Sequence, residues 1–185
     1  MVKIPHVLER VEIPQGVSVE VEGLKVTVKG PKGTLTKDFS HMKDVSIRVE
    51  EGSVIVETYM VNRRKKALVG TAAAHIRNMI KGVTVGYRYK LKIVFSHFPI
   101  SVSVDEKNKR VVIKNFLGER SDRFAKIYGD VKVKVQGNDI IVEGIDIEAV
   151  GLTAASIERA TKIKDLDRRV FMDGIYIYEK GEAVD

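Results

Sequence analysis

No cysteine occurs in the 185 residues, which excludes disulfide scaffolds, cysteine-ligated zinc and thiol nucleophiles. No stretch approaches the roughly 18–20 apolar residues of a membrane-spanning helix. The first residues, Met1-Val-Lys-Ile-Pro-His6, lack the apolar run of a signal peptide. The expectation is a soluble, cytoplasmic protein with no membrane partner. Catalytic signatures are missing as well: G-x-S-x-G, H-E-x-x-H, G-x-x-x-x-G-K-[ST] and G-x-G-x-x-G have no match. The histidines His6, His41, His75 and His97 are scattered without metal-ligand spacing, and His75, beside Ile76 in a helical stretch, reads as structural. Asp105-Glu106 and the Asp165/Asp167 pair read as a turn and as solvated charge rather than an acid–base couple. No catalytic residue, metal site, cofactor or small-molecule substrate is therefore expected.

What is present is a globular composition, 44% apolar and 31% charged, with 32 Lys and Arg against 25 Asp and Glu. The surplus of +7 and a pI near 9.5 favour a polyanionic partner. It lies in the first half. Residues 1–90 hold 16 cations and 9 anions, whereas residues 91–185 hold 16 of each.

The chain reads as one unit written twice. Val17, Val19 and Val21 alternate with polar residues, turn at Glu22-Gly23 and return through Lys25–Lys29. Val45, Ile47 and Val49 alternate likewise, turn at Glu51-Gly52 and return through Val54–Val56. The second half repeats this with Ile100, Val102, Val104 and Val111–Ile113, then Val131, Val133, Val135 and Ile140–Val142. Val26–Gly33, ending at Phe39, aligns with Val111–Gly118, ending at Phe124. Val54–Glu57 matches Ile140–Glu143, and Thr71-Ala-Ala73 matches Thr153-Ala-Ala155. Matches in one order at near-constant spacing indicate an internal duplication. Each copy closes with a helix: residues 64–81, capped at Gly82, and residues 149–162. The fold class is α+β, two tandem duplicated domains, each a mostly antiparallel sheet with one helix packed on one face. The alternation from Tyr87 to Phe95 reads as the last strand of the first domain. The domains are placed at 1–88 and 89–185.

Three basic features are candidates for binding. Gly30-Pro31-Lys32-Gly33 has the form of a phosphate-clamping G-x-x-G loop, but strand-like residues flank it, so it reads as a turn whose glycines take positive φ. Lys29 and Lys32 remain able to reach phosphate from its tip. Arg63-Arg64-Lys65-Lys66 opposes the macrodipole at a helix start, costing about 0.3–1 kcal/mol per exposed cation, which suggests an external use such as phosphate. Arg159, Lys162, Lys164, Arg168 and Arg169 form a third basic segment. Behind it Phe171–Ile177 reads as an anchored strand, and the nearby Tyr176 and Tyr178, able to stack on bases, read rather as packing residues.

Val26–Gly33, Asn115-Phe-Leu-Gly-Glu-Arg120 and Arg169-Val-Phe-Met-Asp-Gly-Ile-Tyr-Ile177 together resemble ribosomal protein L6 of the large subunit, in its archaeal and eukaryotic branch. The resemblance runs from about Pro5 to Lys180 in order. It implies two similar α+β domains bound to large-subunit rRNA near the sarcin-ricin loop and the stalk base, where translation factors dock. It also implies neighbouring large-subunit proteins as partners, with RNA contact mainly through the second domain. The candidate rRNA-binding residues are Arg159, Lys162, Lys164, Arg168, Arg169 and Lys180, with Lys29, Lys32, Arg63, Arg64 and Lys65 in the first domain. The alternative is a non-ribosomal adaptor that binds proteins through an exposed strand edge.

Overall fold

The computed structural model describes residues 6–164, 166–167 and 169–184. It divides into two units, Met1–Val85 and Gly86–Asp185. In the first, β1 (His6–Glu12), β6 (Ser53–Tyr59) and β5 (Ser46–Glu50) form one antiparallel sheet in the order β1-β6-β5. A second contains β2 (Ser18–Glu22), β3 (Lys25–Gly30) and β4 (Gly33–Asp38) in chain order. Helix α1 (Arg63–Thr84) packs its buried face, Val69, Ala72, Ala73, Ile76 and Val83, on Val11, Val26, Val28, Val54 and Val56 of the strands. Period 2 on the strands and 3.6 on the helix aim these residues at one core.

The second unit repeats the plan. β8 (Ser101–Asp105), β9 (Arg110–Lys114) and β10 (Arg123–Lys126) form the smaller sheet. β11 (Lys132–Gln136), β12 (Asp139–Gly144), β7 (Tyr87–Val94) and β13 (Gly174–Glu182) form the larger, in the order β11-β12-β7-β13. Helix α2 (Ile147–Ala160) buries Val150, Thr153, Ala154 and Ile157. Val11 pairs with Val54 in the first unit as Leu91 pairs with Ile140 in the second. β7 is thus the counterpart of β1, and β13 is an added strand on its far side.

This corrects several readings. The strand at Tyr87–Val94 opens the second unit instead of closing the first, because its inward residues Leu91 and Ile93 are buried in the second core. Phe39 corresponds to Ile127, not Phe124: each donates its N–H to the residue just before the middle strand of its small sheet, Leu24 or Lys109. Extra residues in the connection before β10 shift the register, so Phe39 is buried and Phe124 exposed. The Thr-Ala-Ala match is likewise not an equivalence, since Thr71 is exposed and Thr153 buried. Helix α1 runs through Gly82, which is buried in its last turn, and Gly86 at φ +80° turns the chain instead. Gly30 has no positive φ; a Cβ there would lie 2.6 Å from Val83 Cγ2, so it serves close approach of the turn to α1. The final strand begins at Gly174, and Phe171 precedes it, its ring stacked on His97 at 4.7 Å.

Candidate nucleic-acid interface

Many cations of the second unit are engaged by carboxylates, several of them across the strands. On the larger sheet Arg88 bonds Glu143 at 2.5 Å, Lys92 lies 3.2 Å from Asp139, and Lys90 lies 2.9 Å from Glu179. Lys134 approaches Glu143 at 3.5 Å. Burial pushes the Glu143 carboxyl up, but Arg88 and Lys134 together hold it below its ordinary range. On the smaller sheet Arg110 meets Asp105, and Arg123 grips Glu119 through two bonds of 2.5 and 2.8 Å. The Arg123 guanidinium holds the Glu119 carboxyl low. The field of such a cation falls largely on its own partner.

Arg159, Lys162 and Lys164 differ. All three are exposed and have no ion pair among the described residues. Arg159 ends α2, where a cation complements the helix dipole. The chain then leaves the helix with Ile163 buried between the two exposed lysines. Thr161 fixes the exit by accepting the Ile175 N–H at 2.9 Å and donating to the Glu158 carbonyl. Arg123 donates to the Ala160 and Lys162 carbonyls at 2.8 and 3.3 Å and lies over the Phe116 ring.

The three cations line one groove of about 430 Å³ together with Ser121, Arg123 and Phe124. Phe124 is 52% exposed, with the Arg110 guanidinium over its ring at 4.4 Å. Sequence reasoning missed this aromatic, whose only signal was its place in a short strand facing α2. Arg159 and Lys162 also border a second, apolar groove of about 550 Å³ lined by Val94, Ile163, Phe171, Met172 and Tyr176. Tyr176 and Tyr178 are exposed rather than packed, with hydroxyls bonded to the Met172 carbonyl and to Asp139.

The other candidates are placed differently. Arg169 is 90% exposed but bonded to Asp167 at 3.0 Å. Arg168 lies outside the described residues. Lys180 stands on β13 over the Tyr89 ring and lines neither groove. In the first unit Lys29 bonds Glu20 at 2.7 Å. Lys32 folds back on α1, its backbone N–H bonded to the Val83 carbonyl and its ammonium to that of Val85. At the start of α1, Asn62 accepts the Lys65 N–H, and Lys65 Nζ lies 3.1 Å from Asp44. Arg63, Arg64 and Lys66 are exposed and have no ion pair among the described residues. Lys66 shares this state with the two arginines, whereas Lys65 is paired with Asp44.

No group of three or more His, Cys, Asp or Glu able to hold a metal occurs among the described residues. Ser96, His97 and Asp173 do come together, but the Ser96 hydroxyl donates to the carboxylate at 3.0 Å, so the cluster is a structural knot and not an activated nucleophile.

Comparison with known proteins agrees with this architecture. The family model described as Ribosomal protein L6 matches residues 13–86 and again residues 98–174. Each match begins after the first strand of its unit, and the second ends at Gly174, the first residue of β13, which repeats the duplication seen in the strands. The large ribosomal subunit protein uL6 of Desulfurococcus amylolyticus is 72% identical over 184 residues, covering 100% of both chains. That of Staphylothermus marinus is 66% identical over 98% of this chain and 99% of its own. That of Methanothrix thermoacetophila is 46% identical over 96% and 99%. With two tandem copies of the matched unit and relatives this similar from end to end, the chain belongs to the ribosomal protein L6 family.

Proposed function

We propose that this chain is a structural constituent of the large ribosomal subunit, in the cytoplasm, and that it binds large-subunit rRNA through the cations at the end of α2. A protein of this family is a structural component and not an enzyme; it works by position. The observation that carries the RNA reading is the convergence of Arg159, Lys162 and Lys164 on one groove, with no ion pair among the described residues. Guanidinium and ammonium groups held on a pinned backbone neutralise phosphates and release counterions. Phe124 offers a face on which an unstacked base can rest. Arg63, Arg64 and Lys66 form a second, separate phosphate-binding group on the first unit. The finer placement we propose is beside the sarcin-ricin loop at the stalk base, supporting the region where translation factors dock, with neighbouring large-subunit proteins nearby.

The test is a salt titration of binding to an rRNA fragment carrying the sarcin-ricin hairpin. The Arg159→Ala/Lys162→Ala/Lys164→Ala variant should flatten the log–log salt slope by about 0.7–0.9 per lost contact, roughly 2 to 3 in all. An unchanged slope, or equal affinity for an unrelated hairpin, would refute the assignment.

A further inference from the structure

The two units differ at one sheet edge. In the second, β13 covers the far side of β7. In the first, β1, the counterpart of β7, has β6 as its only neighbouring strand among the described residues. We propose that the free edge of β1 docks an extended segment of a partner protein, which adds antiparallel and sets a carboxylate against Arg10. The RNA reading of the cation groups is a separate matter, since none of those residues lies on β1.

The duplicated register supplies the template. Arg10 pairs with Ile55 as Lys90 pairs with Ile141, so Arg10 occupies the Lys90 position. Lys90 bonds Glu179 of the added strand at 2.9 Å, and that hydrogen bond raises its pKa. Arg10 is exposed and has no ion pair among the described residues. The apolar part of the match is complementary too. Carried onto β1, the β7–β13 register sets Glu179 opposite Arg10, Ile177 opposite Val11 and Ile175 opposite Ile13, with Lys180 opposite Glu9, which already bonds Arg77 at 2.6 Å. Leu8, 42% exposed on the same face as Arg10, would be covered by such a strand. Charges on β1 discourage indiscriminate edge pairing, so the occupant must carry the matching pattern, an alternating apolar segment ending in Glu-Lys. Main-chain bonds then supply affinity and the charge register supplies specificity.

The probe is a synthetic nonapeptide with the Gly174–Glu182 sequence, titrated into full-length isotope-labelled protein. Saturable shifts and slowed hydrogen exchange are expected at residues 7–12. Arg10→Glu should weaken binding about fivefold, and the Glu179→Lys peptide should recover that loss on Arg10→Glu while binding wild type poorly. Absence of change at residues 7–12 at millimolar peptide, changes confined to β7, or indifference to the charge swap would each overturn the proposal. RNA affinity is measured on the same preparations. Arg10→Glu should leave it unaltered, and a loss there would make this edge an RNA contact and overturn the protein reading.

Discussion

Asp173 is 1% exposed, and its carboxylate accepts the backbone N–H groups of Ser96 and His97, the Ser96 hydroxyl and the His97 ring, all at 2.9 to 3.1 Å. These bonds tie the segment after α2 to the loop after β7. Burial pushes the Asp173 carboxyl up, but the hydrogen bonds from His97 and Ser96 outweigh it and hold the pKa far below the usual 3.8. The unfolded chain therefore binds a proton there that the folded chain does not. The resulting stability is fully present above pH 4 or so and drains away as pH falls below it toward the depressed folded value. Asp173→Asn should cost about 2–4 kcal/mol at neutral pH by leaving buried donors poorly matched. It should also lose less stability than wild type between roughly pH 4 and pH 2. Urea unfolding at both ends of that range measures each effect. The sequence singles out this aspartate inside a recognisable signature, but its partners lie 76 and 77 positions away and only the fold shows them.

At the level of elements, the start of α1 sets stability against binding. It has no acidic residue in its first turn, and Asn62 caps it. Arg63→Glu/Arg64→Glu should stabilise the free protein by about 0.3–1 kcal/mol per site through the helix dipole, raising its melting temperature by a few degrees. The same variant should bind rRNA more weakly if this group meets phosphate. Calorimetry and a binding titration of one preparation should move in opposite senses, and a loss of both would show that the arginines hold the fold. Such elements were largely legible in the sequence. Alternating valines and isoleucines gave the hairpins because half-buried strands have period 2, and the helices stood out by their apolar stripes. Strand neighbours were not legible, because β7 carries the same alternation whichever unit it joins. Nor were the partners of individual cations. Lys29 and Glu20 sit nine positions apart and meet only because a hairpin folds them together, and Lys32 looks free until its turn packs on α1.

For the whole molecule, the division between Val85 and Gly86 makes a fragment starting at Gly86 the natural second unit. Starting at residue 89 removes Tyr87, 5% exposed and with its hydroxyl pushed up to about 12 by burial and by Glu182. It also removes Arg88, which bridges Glu143 and the Val184 carbonyl. The shorter fragment should be less stable by about 3–5 kcal/mol, in line with deletion of a large buried side chain, as urea midpoints of the two would show. The central position of β7 also bears on the order of events in folding. Glu9 meets Arg77 across 68 positions, whereas Lys90 must wait for Glu179, 89 positions on. Pairings that distant slow the search for the native topology. As the chain emerges, the first unit has all its strands and its helix before the second has gained a helix at all. β7 is made first in its unit, yet its far edge is paired only by β13, so that edge stays open until the chain is nearly complete.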